Sequence, residues 1–544
     1  MIDGEKGAAS LTYGEIDRQA RAIAASMQRE NIEGERVLLL YPPSLEFVPA
    51  FYGTLYAGAI VVTAPMPVAS RLNRTLPRLE ALVRDAQPKM ALTTSEAMSE
   101  FQKILSMSSE LQSMRWLTTD TIAIDASEDW REPNINLQTL AFLQYTSGST
   151  SSPKGVMVNH KNILNNSECI RISWHYTNES VSVMWVPHIH DHGLLDGIIQ
   201  PIYTGFHCIL MPNVSFMQQP VRWLQAISKH QATHSGGPNF AYDLCVKKIQ
   251  QEQLATLNLS SWSTALNAAE PIRKDTIIRF AKTFAPCGFR QRAFFPAYGL
   301  AESTLVVSGR HDPVFITIEK NALVHNRVVE PADDHQEVRT LVGCGKAMPN
   351  TGIIIVDPEY RTICSPDEIG EIWVSSQSVG QGYWNNIEES SKTFQAYLAN
   401  SGEGPFLRTG DLGFLKEGEL FVTGRLKDLI IIRGHNHYPQ DIEYTVEKSH
   451  PAIRAGCSAA FSVEIDGEER IVVVAEVAQT SIAELDIKKV YKAIRKAIAE
   501  EHDLSVYAIK LLLPGTIAKT SSGKIQRAAC RNEFLTESLQ TIEE

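Results

Sequence analysis

The sequence contains no Cys-x-x-Cys pair. Its eight cysteines lie scattered at positions 169, 208, 245, 287, 344, 364, 457 and 530. Neither a zinc ribbon nor a disulfide framework is indicated, and reduced thiols in a cytoplasmic protein fit best. Positive charge is also lacking. The net charge is −11, which speaks against nucleic acid held through bulk charge. The N-terminal "MIDGEKGAAS" lacks the basic and apolar pattern of a signal peptide. No repeat and no low-complexity tract interrupts the chain. The uncharged run from Phe47 to Ser70 is long enough to span a membrane. However, it holds Pro49, Pro65, Pro67, Gly53 and Gly58. It reads as a buried helix ending at Gly58, then a buried strand "AIVVTA", and no membrane span is expected.

What is present is the composition of a soluble globular protein, 44% apolar and 21% charged over 544 residues, enough for several domains. Amphipathic helical patterns alternate with short β-rich runs. "LTYGEIDRQARAIAASMQREN" carries Thr12 and Glu15 at capping-box spacing. "RVLLLY", "MALTT", "AFLQYT" and "GVMVNH" read as strands, and the alternation predicts parallel sheets covered by helices. From about Gly343 strands crowd together in "GIIIVD", "GEIWVSS" and "ELFVTG", which predicts a smaller β subdomain. Past Arg425, two strands flank Asp466-Gly467, a hairpin signal, and a charged helix follows. The expected fold class is α/β. A large N-terminal domain spans 1–423, a hinge 424–427, and a small mobile α+β domain 428–544.

"YTSGSTSSPKG", Tyr145 to Gly155, is nearly a Walker A loop. A Walker A lysine is followed by a helix whose N-terminus helps hold phosphates. Here "GVMVNH" follows, a strand pattern, and Pro153 removes a backbone donor. The stretch therefore reads as a loop between two strands. Thr146, Ser147, Ser149 and Thr150 offer hydroxyls, Gly148 offers close approach, and Lys154 supplies a compact charge. A plain Ser/Gly linker is the alternative, and the flanking strands weigh against it.

Together with "YGLAE" (Tyr298 to Glu302), "RTGDLG" (Arg408 to Gly413), "GRLKDLIIIRGHNHYPQDIE" (Gly424 to Glu443) and "TSSGKIQR" (Thr520 to Arg527), this loop resembles the adenylate-forming superfamily. That superfamily includes acyl-CoA synthetases, peptide-synthetase adenylation domains and luciferases. The blocks occur in order and span nearly the whole chain.

The resemblance implies ATP and Mg²⁺ as cofactors and assigns roles. Tyr298 and Gly299 would lie against adenine, with Asn267, Ala268 and Ala269 on its other side. That block usually reads N-G-A-E-P, so Ala268 is a departure. Asp411 would accept the ribose hydroxyls, since a carboxylate offers several acceptor positions, and Arg425 would reach the ribose or the phosphates. Glu302 would hold Mg²⁺, a hard cation that prefers oxygen. Lys524 would be catalytic, bridging α-phosphate and substrate carboxylate. Lys427 would be the hinge residue.

"PHIHDHG", His188 to Gly193, tempts a zinc reading, but no later His/Cys block completes a ligand set. His190, Asp191 and Gly193 instead resemble the H-D-x-G of fatty acyl-AMP ligases, lining an acyl pocket together with Asn239 of "PNFAYD". His192 departs from the usual Met. The stretch of about 311–340, absent from coenzyme-A-forming relatives, also points to fatty acyl-AMP ligases. Val314–Ile318 and Ala322–Val329 read there as two strands around Lys320-Asn321. A neutral surface hairpin is the alternative reading.

The implied reaction joins a fatty acid to AMP and then passes the acyl group to an acyl carrier protein. The carrier would act in trans, or the chain is cut from a larger synthase. Its start near "LTYGEID" suggests truncation or an alternative start. Carrier docking is expected near Lys524, Arg527 and Arg531. The alternatives are a long-chain acyl-CoA synthetase, an amino-acid-activating enzyme, a luciferase-like oxidase and a non-catalytic nucleotide-binding protein.

Overall fold

The computed structural model describes residues 9–68, 72–146, 153–332, 337–432, 435–465, 468–520 and 523–542. Six strands form the first sheet: β1 (Arg36–Leu39), β2 (Ile60–Thr63), β3 (Met90–Thr93), β4 (Arg115–Thr118), β5 (Leu140–Thr146) and β6 (Lys154–Asn159), in the order β4-β3-β1-β2-β5-β6. All neighbours are parallel except β5 and β6. β2 and β3 are buried along their whole length, as parallel strands covered on both faces must be. The helix Phe47–Tyr56 packs here, followed by β2, as its glycine and proline punctuation implied. At the chain start, Thr12 and Glu15 complete the capping box of the helix Tyr13–Gln28.

A second sheet comprises β7 (Val181–Met184), β8 (His207–Leu210), β9 (His234–Gly237), β10 (Thr264–Asn267), β11 (Phe294–Gly299) and β12 (Val306–Gly309). β7 to β11 pair in parallel, and β12 turns back antiparallel on β11. Among the described helices none is long and apolar enough to cross a membrane.

The 311–340 stretch departs from expectation. β13 (Phe315–Glu319) forms, but Lys320–Val324 is a short helix and not the start of a second strand. The partner of β13 is β14 (Val338–Val342), with Phe315 opposite Val342 and Glu319 opposite Val338. One helical turn buries Leu323 beside Ile316, Ile318 and Leu341. β14 meanwhile supplies the alternating residues that satisfy the free edge of β13, with Thr317 and Thr340 hydroxyls 3.2 Å apart.

β15 (Lys346–Ala347) extends the second sheet at β12. β16 (Thr351–Val356), β17 (Gly370–Ser376), β18 (Leu407–Lys416) and β19 (Glu419–Arg425) form an antiparallel four-stranded sheet. The C-terminal part holds a short pair, β20 (Ile430–Ile432) and β21 (His435–His437), and a sheet of β22 (Ile453–Ile465), β23 (Glu468–Val477) and β24 (Val506–Leu512). β22 and β23 are the expected hairpin; Asp466-Gly467 lies outside the described residues. Helices Pro439–Ser449 and Ile487–His502 cover one face around Ile442, Val446, Val490 and Ile494.

Candidate functional site

The cleft between the large body and the C-terminal part has a volume of about 4040 Å³. That exceeds a typical small-molecule pocket several-fold, so it holds a site and also space around it. β5 and β6 are adjacent antiparallel strands, with Thr146 opposite Lys154. Lys154 therefore opens a strand, not the helix that follows a Walker A lysine. Ser147, Gly148, Ser149 and Thr150 lie outside the described residues.

Lys154, the first residue of β6, places its Nζ 2.6 Å from Glu389 Oε1 and 5.0 Å from the centre of the Tyr383 ring. Tyr383 in turn donates to Glu302 Oε1 at 2.8 Å. Burial, then the Glu302 charge, raises the Tyr383 phenol, so it stays neutral. Glu302 thus lines the cleft with a neutral hydrogen-bond partner. Such a hard oxygen donor fits Mg²⁺, which completes its shell with water and phosphate oxygens.

Tyr298, next to last in β11, has its hydroxyl 2.7 Å from Asp411 Oδ2. Arg425 Nε donates to Asp411 Oδ1 at 2.8 Å. Burial raises the Tyr298 phenol and Asp411 adds to it, while Asp411 is the main cause that raises Arg425. Gly299 can be nothing larger: a Cβ there would lie 1.9 Å from the Leu305 carbonyl oxygen. Ala268 and Ala269 line the cleft. Asn267 is fully buried, and its side-chain oxygen and nitrogen both lack a hydrogen-bond partner among the described residues. Ala269 has φ +74°, a conformation that non-glycine residues adopt rarely.

His190 precedes the short helix Asp191–Leu194, and both His190 and Asp191 line the cleft. A Cβ on Gly193 would lie 2.1 Å from the Pro187 carbonyl oxygen, so the last position of H-D-x-G is sterically dictated. His192, the departure from the usual motif, is buried with Nε2 3.5 Å from Asp196 Oδ2. Burial, then His190, lowers His188 to about 3, so it is neutral beside the Phe47 ring at 4.0 Å. Among the described residues, no three His, Cys, Asp or Glu side chains form a metal set. Asn239 borders the cleft, but its amide is engaged elsewhere: it accepts from Arg273 N at 3.1 Å and donates to Thr276 Oγ1 at 3.1 Å.

Lys524 is exposed, on a turn closed by Thr520, whose Oγ1 accepts from the Lys524 N–H at 3.0 Å. This turn meets the large body. A Cβ on Gly523 would stand 3.7 Å from the Phe240 ring, and Arg78 Nη2 bonds Gln526 Oε1 at 3.0 Å. The Lys524 charge reaches Glu270 on the opposite wall, whose carboxyl burial raises and Arg273 and Lys524 pull down. Lys427 sits in the 3₁₀ turn Leu426–Asp428.

Three side chains escaped the motif reading. Glu270 stands inside "NAAEP", beside Ala268 and Ala269, with nothing in the pattern that marks it. Tyr383 and Glu389 belong to "GYWNNIEESSKTF", which shows no periodicity that marks chemistry. Arg527 also corrects the docking expectation. It is bonded to Glu443 at 2.7 and 2.8 Å and to Asp428 at 2.6 Å, and is not free to steer a partner.

The AMP-binding enzyme family matches residues 1–384, and the AMP domain of Disco-interacting protein 2-like proteins matches residues 427–544. The chain belongs to the AMP-binding enzymes. Within them it groups with the fatty acyl-AMP ligases. It is 52% identical, over 98% of its length and 91% of the relative's, to the medium-chain-fatty-acid–acyl-carrier-protein ligase JamA of Moorena producens. It is 35% identical to the long-chain-fatty-acid–AMP ligase FadD32 of Mycolicibacterium smegmatis, over 97% of this chain and 90% of that one. Among solved structures, a fatty acyl-adenylate ligase from Legionella pneumophila, in complex with acyl adenylate and pyrophosphate, is 40% identical. The match covers 98% and 92% of the two chains with a TM-score of 0.76.

Proposed function

We propose that this fatty acyl-AMP ligase condenses a fatty acid with Mg·ATP to acyl-adenylate and pyrophosphate. It then delivers the acyl group to the phosphopantetheine thiol of an acyl carrier protein. The observation that carries the reading is one cleft bordered by Tyr298, Asp411 and Arg425, by Glu302 and Lys154, and by Lys524 from the C-terminal part. Two anions must meet in the first step, a carboxylate and the α-phosphate. The chemistry therefore needs cations and donors aimed at the charge that develops between them.

In this reading Asp411 holds the ribose, and Tyr298, Gly299, Asn267, Ala268 and Ala269 form the adenine slot. The loop from Thr146 to Lys154 takes the β- and γ-phosphates. Lys524 bridges the α-phosphate and the attacking carboxylate. Glu302 would hold Mg²⁺, which neutralises phosphate charge when bound. The acyl chain runs from His190 and Asp191, held by the close packing at Gly193, past Trp185 and Phe240; these four side chains border the cleft. The likeness to a ligase named for medium-chain acids favours medium chains. Unpaired thiols at all eight cysteines support work in the cytoplasm.

Transfer requires a second pose of residues 428–544, turning at the 424–427 hinge around Lys427. The test is mass spectrometry of products from a fatty-acid panel with ATP, adding coenzyme A or a carrier protein. Acyl-AMP alone and acyl-carrier with carrier present support the proposal. Efficient acyl-CoA formation overturns the choice of thiol, and no adenylate with any acid overturns the activity.

A further inference from the structure

The contact between Lys154 and Glu389 has no counterpart in the chemistry above. Glu389 is in the first turn of the helix Ile387–Phe394, and its N–H is capped by Asn386 Oδ1 at 3.1 Å, so its backbone is held in place. Its carboxylate stands 2.6 Å from Lys154 Nζ, with side-chain exposures of 31% and 20%. The bond to Lys154 lowers its pKa, and the charges of Lys427 and Lys392 lower it further. Lys392 is paired with Glu388 at 2.5 Å. One carboxylate thus holds Lys154, the first residue after the phosphate-loop stretch, and feels the charge of Lys427 in the turn that leads into the C-terminal part. An acid is unexpected in a place meant to receive a highly charged anion. A carboxylate there contributes only repulsion to the bound polyphosphate.

We propose that Glu389 is a positioning residue that acts through Lys154 as a built-in competitor of pyrophosphate. With the phosphate site empty, Glu389 holds Lys154 and draws Lys427. When polyphosphate binds, Lys154 turns to it and Glu389 loses its partner. That loss lowers affinity for the leaving pyrophosphate and favours its release. A ligand shifts an equilibrium only by what it gains over the contacts it replaces. The inference rests on the reading of Lys154 as a phosphate ligand.

The experiment is titration calorimetry of magnesium pyrophosphate into the intact protein and into Glu389→Gln, with thermal melts confirming that both fold. Removal of one competing charge from a partly exposed pair tightens pyrophosphate binding about fivefold. In the Lys154→Gln background the same change has a clearly smaller effect, because only the direct repulsion between Glu389 and the polyphosphate is then removed. Glu389→Ala shifts affinity in the same direction. A purely structural role for Glu389 gives the opposite sign, with weaker binding once Lys154 loses its brace. Unchanged or weaker binding in both variants overturns the inference. The acyl-AMP assay on the unaltered protein is read separately. A protein that makes acyl-AMP but shows no tightening refutes the Glu389 proposal alone, whereas absence of acyl-AMP refutes the functional reading.

Discussion

Asp411 and Arg425 face each other across β18 and β19, with Arg425 Nε 2.8 Å from Asp411 Oδ1 and the Tyr298 hydroxyl 2.7 Å from Oδ2. The β register sets this pairing, and each carboxylate oxygen keeps a further lone-pair direction for a ligand hydroxyl. Asp411→Asn should raise KM for ATP about tenfold or more, because hydrogen bonds to a charged acceptor are the stronger kind. Pyrophosphate exchange at varied ATP is the check. An unchanged KM would remove Asp411 from the ribose site.

Lys524→Ala should slow adenylate formation about a hundredfold or more, the size of effect seen when one preorganised donor to a developing charge is removed. ATP binding should persist, because the Lys524 side chain is exposed and Tyr298, Asp411 and Arg425 make their mutual contacts without it. Single-turnover acyl-AMP formation measures the first, and nucleotide titration the second. Near-normal chemistry in this variant would end the assignment.

Gly193→Ala tests the acyl pocket through geometry. The added methyl would fall 2.1 Å from the Pro187 carbonyl oxygen, so either the helix Asp191–Leu194 or the preceding turn must shift. We expect a stability loss of about 1–3 kcal/mol, and a fall in adenylation with long acids greater than with short ones. A variant with wild-type melting and wild-type acid preference would place the motif outside the pocket.

Lys427→Pro should spare adenylation and slow transfer to the carrier thiol, because proline locks φ where a hinge must change it. The half-reactions are separable: pyrophosphate exchange reports the first, and acyl-carrier formation the second. Equal losses in both would argue against a hinge at this position.

The 311–340 stretch meets the C-terminal part through Lys320 and Glu501 at 2.9 Å, Arg339 and Asp441 at 3.0 Å, and Asn326 and Asn436 at 3.0 Å. Excising the stretch is a poor test, because Ile316, Ile318 and Leu341 pack with Leu412, Phe414 and Phe421 of the four-stranded sheet. The double change Lys320→Ala with Arg339→Ala removes the ion pairs and keeps that core. If these contacts restrain the swing needed for free coenzyme A, the double variant gains acyl-CoA product while acyl-AMP formation holds. A folded variant with no acyl-CoA would show that the contacts are not the gate.

Features that depend on neighbours in the chain were legible from the residues alone. Thr12 and Glu15 cap a helix because the cap is completed within one turn. β22 and β23 pair because only two residues separate them in the chain, which leaves them little alternative. The loop after β5 is followed by a strand because "GVMV" carries apolar residues on both faces, as a covered strand requires. The motif blocks, in order along the chain, also carried the resemblance to the adenylate-forming superfamily that implies the chemistry.

Tertiary structure decided what depends on partners far along the chain. Local preference could not tell that Val338–Val342 and not Ala322–Val329 would pair with β13, since both runs mix apolar and polar residues; Leu323 reaches the same core from a helical turn instead. Nor could it tell that Arg527 would be enclosed by Glu443 and Asp428, that the Asn239 amide would tie two helices together, or that Glu389 would reach Lys154. A side chain's charge and hydrogen-bonding capacity are properties of its own residue. Whether that capacity is left for a ligand depends on which distant groups the folded chain brings within 3 Å of it.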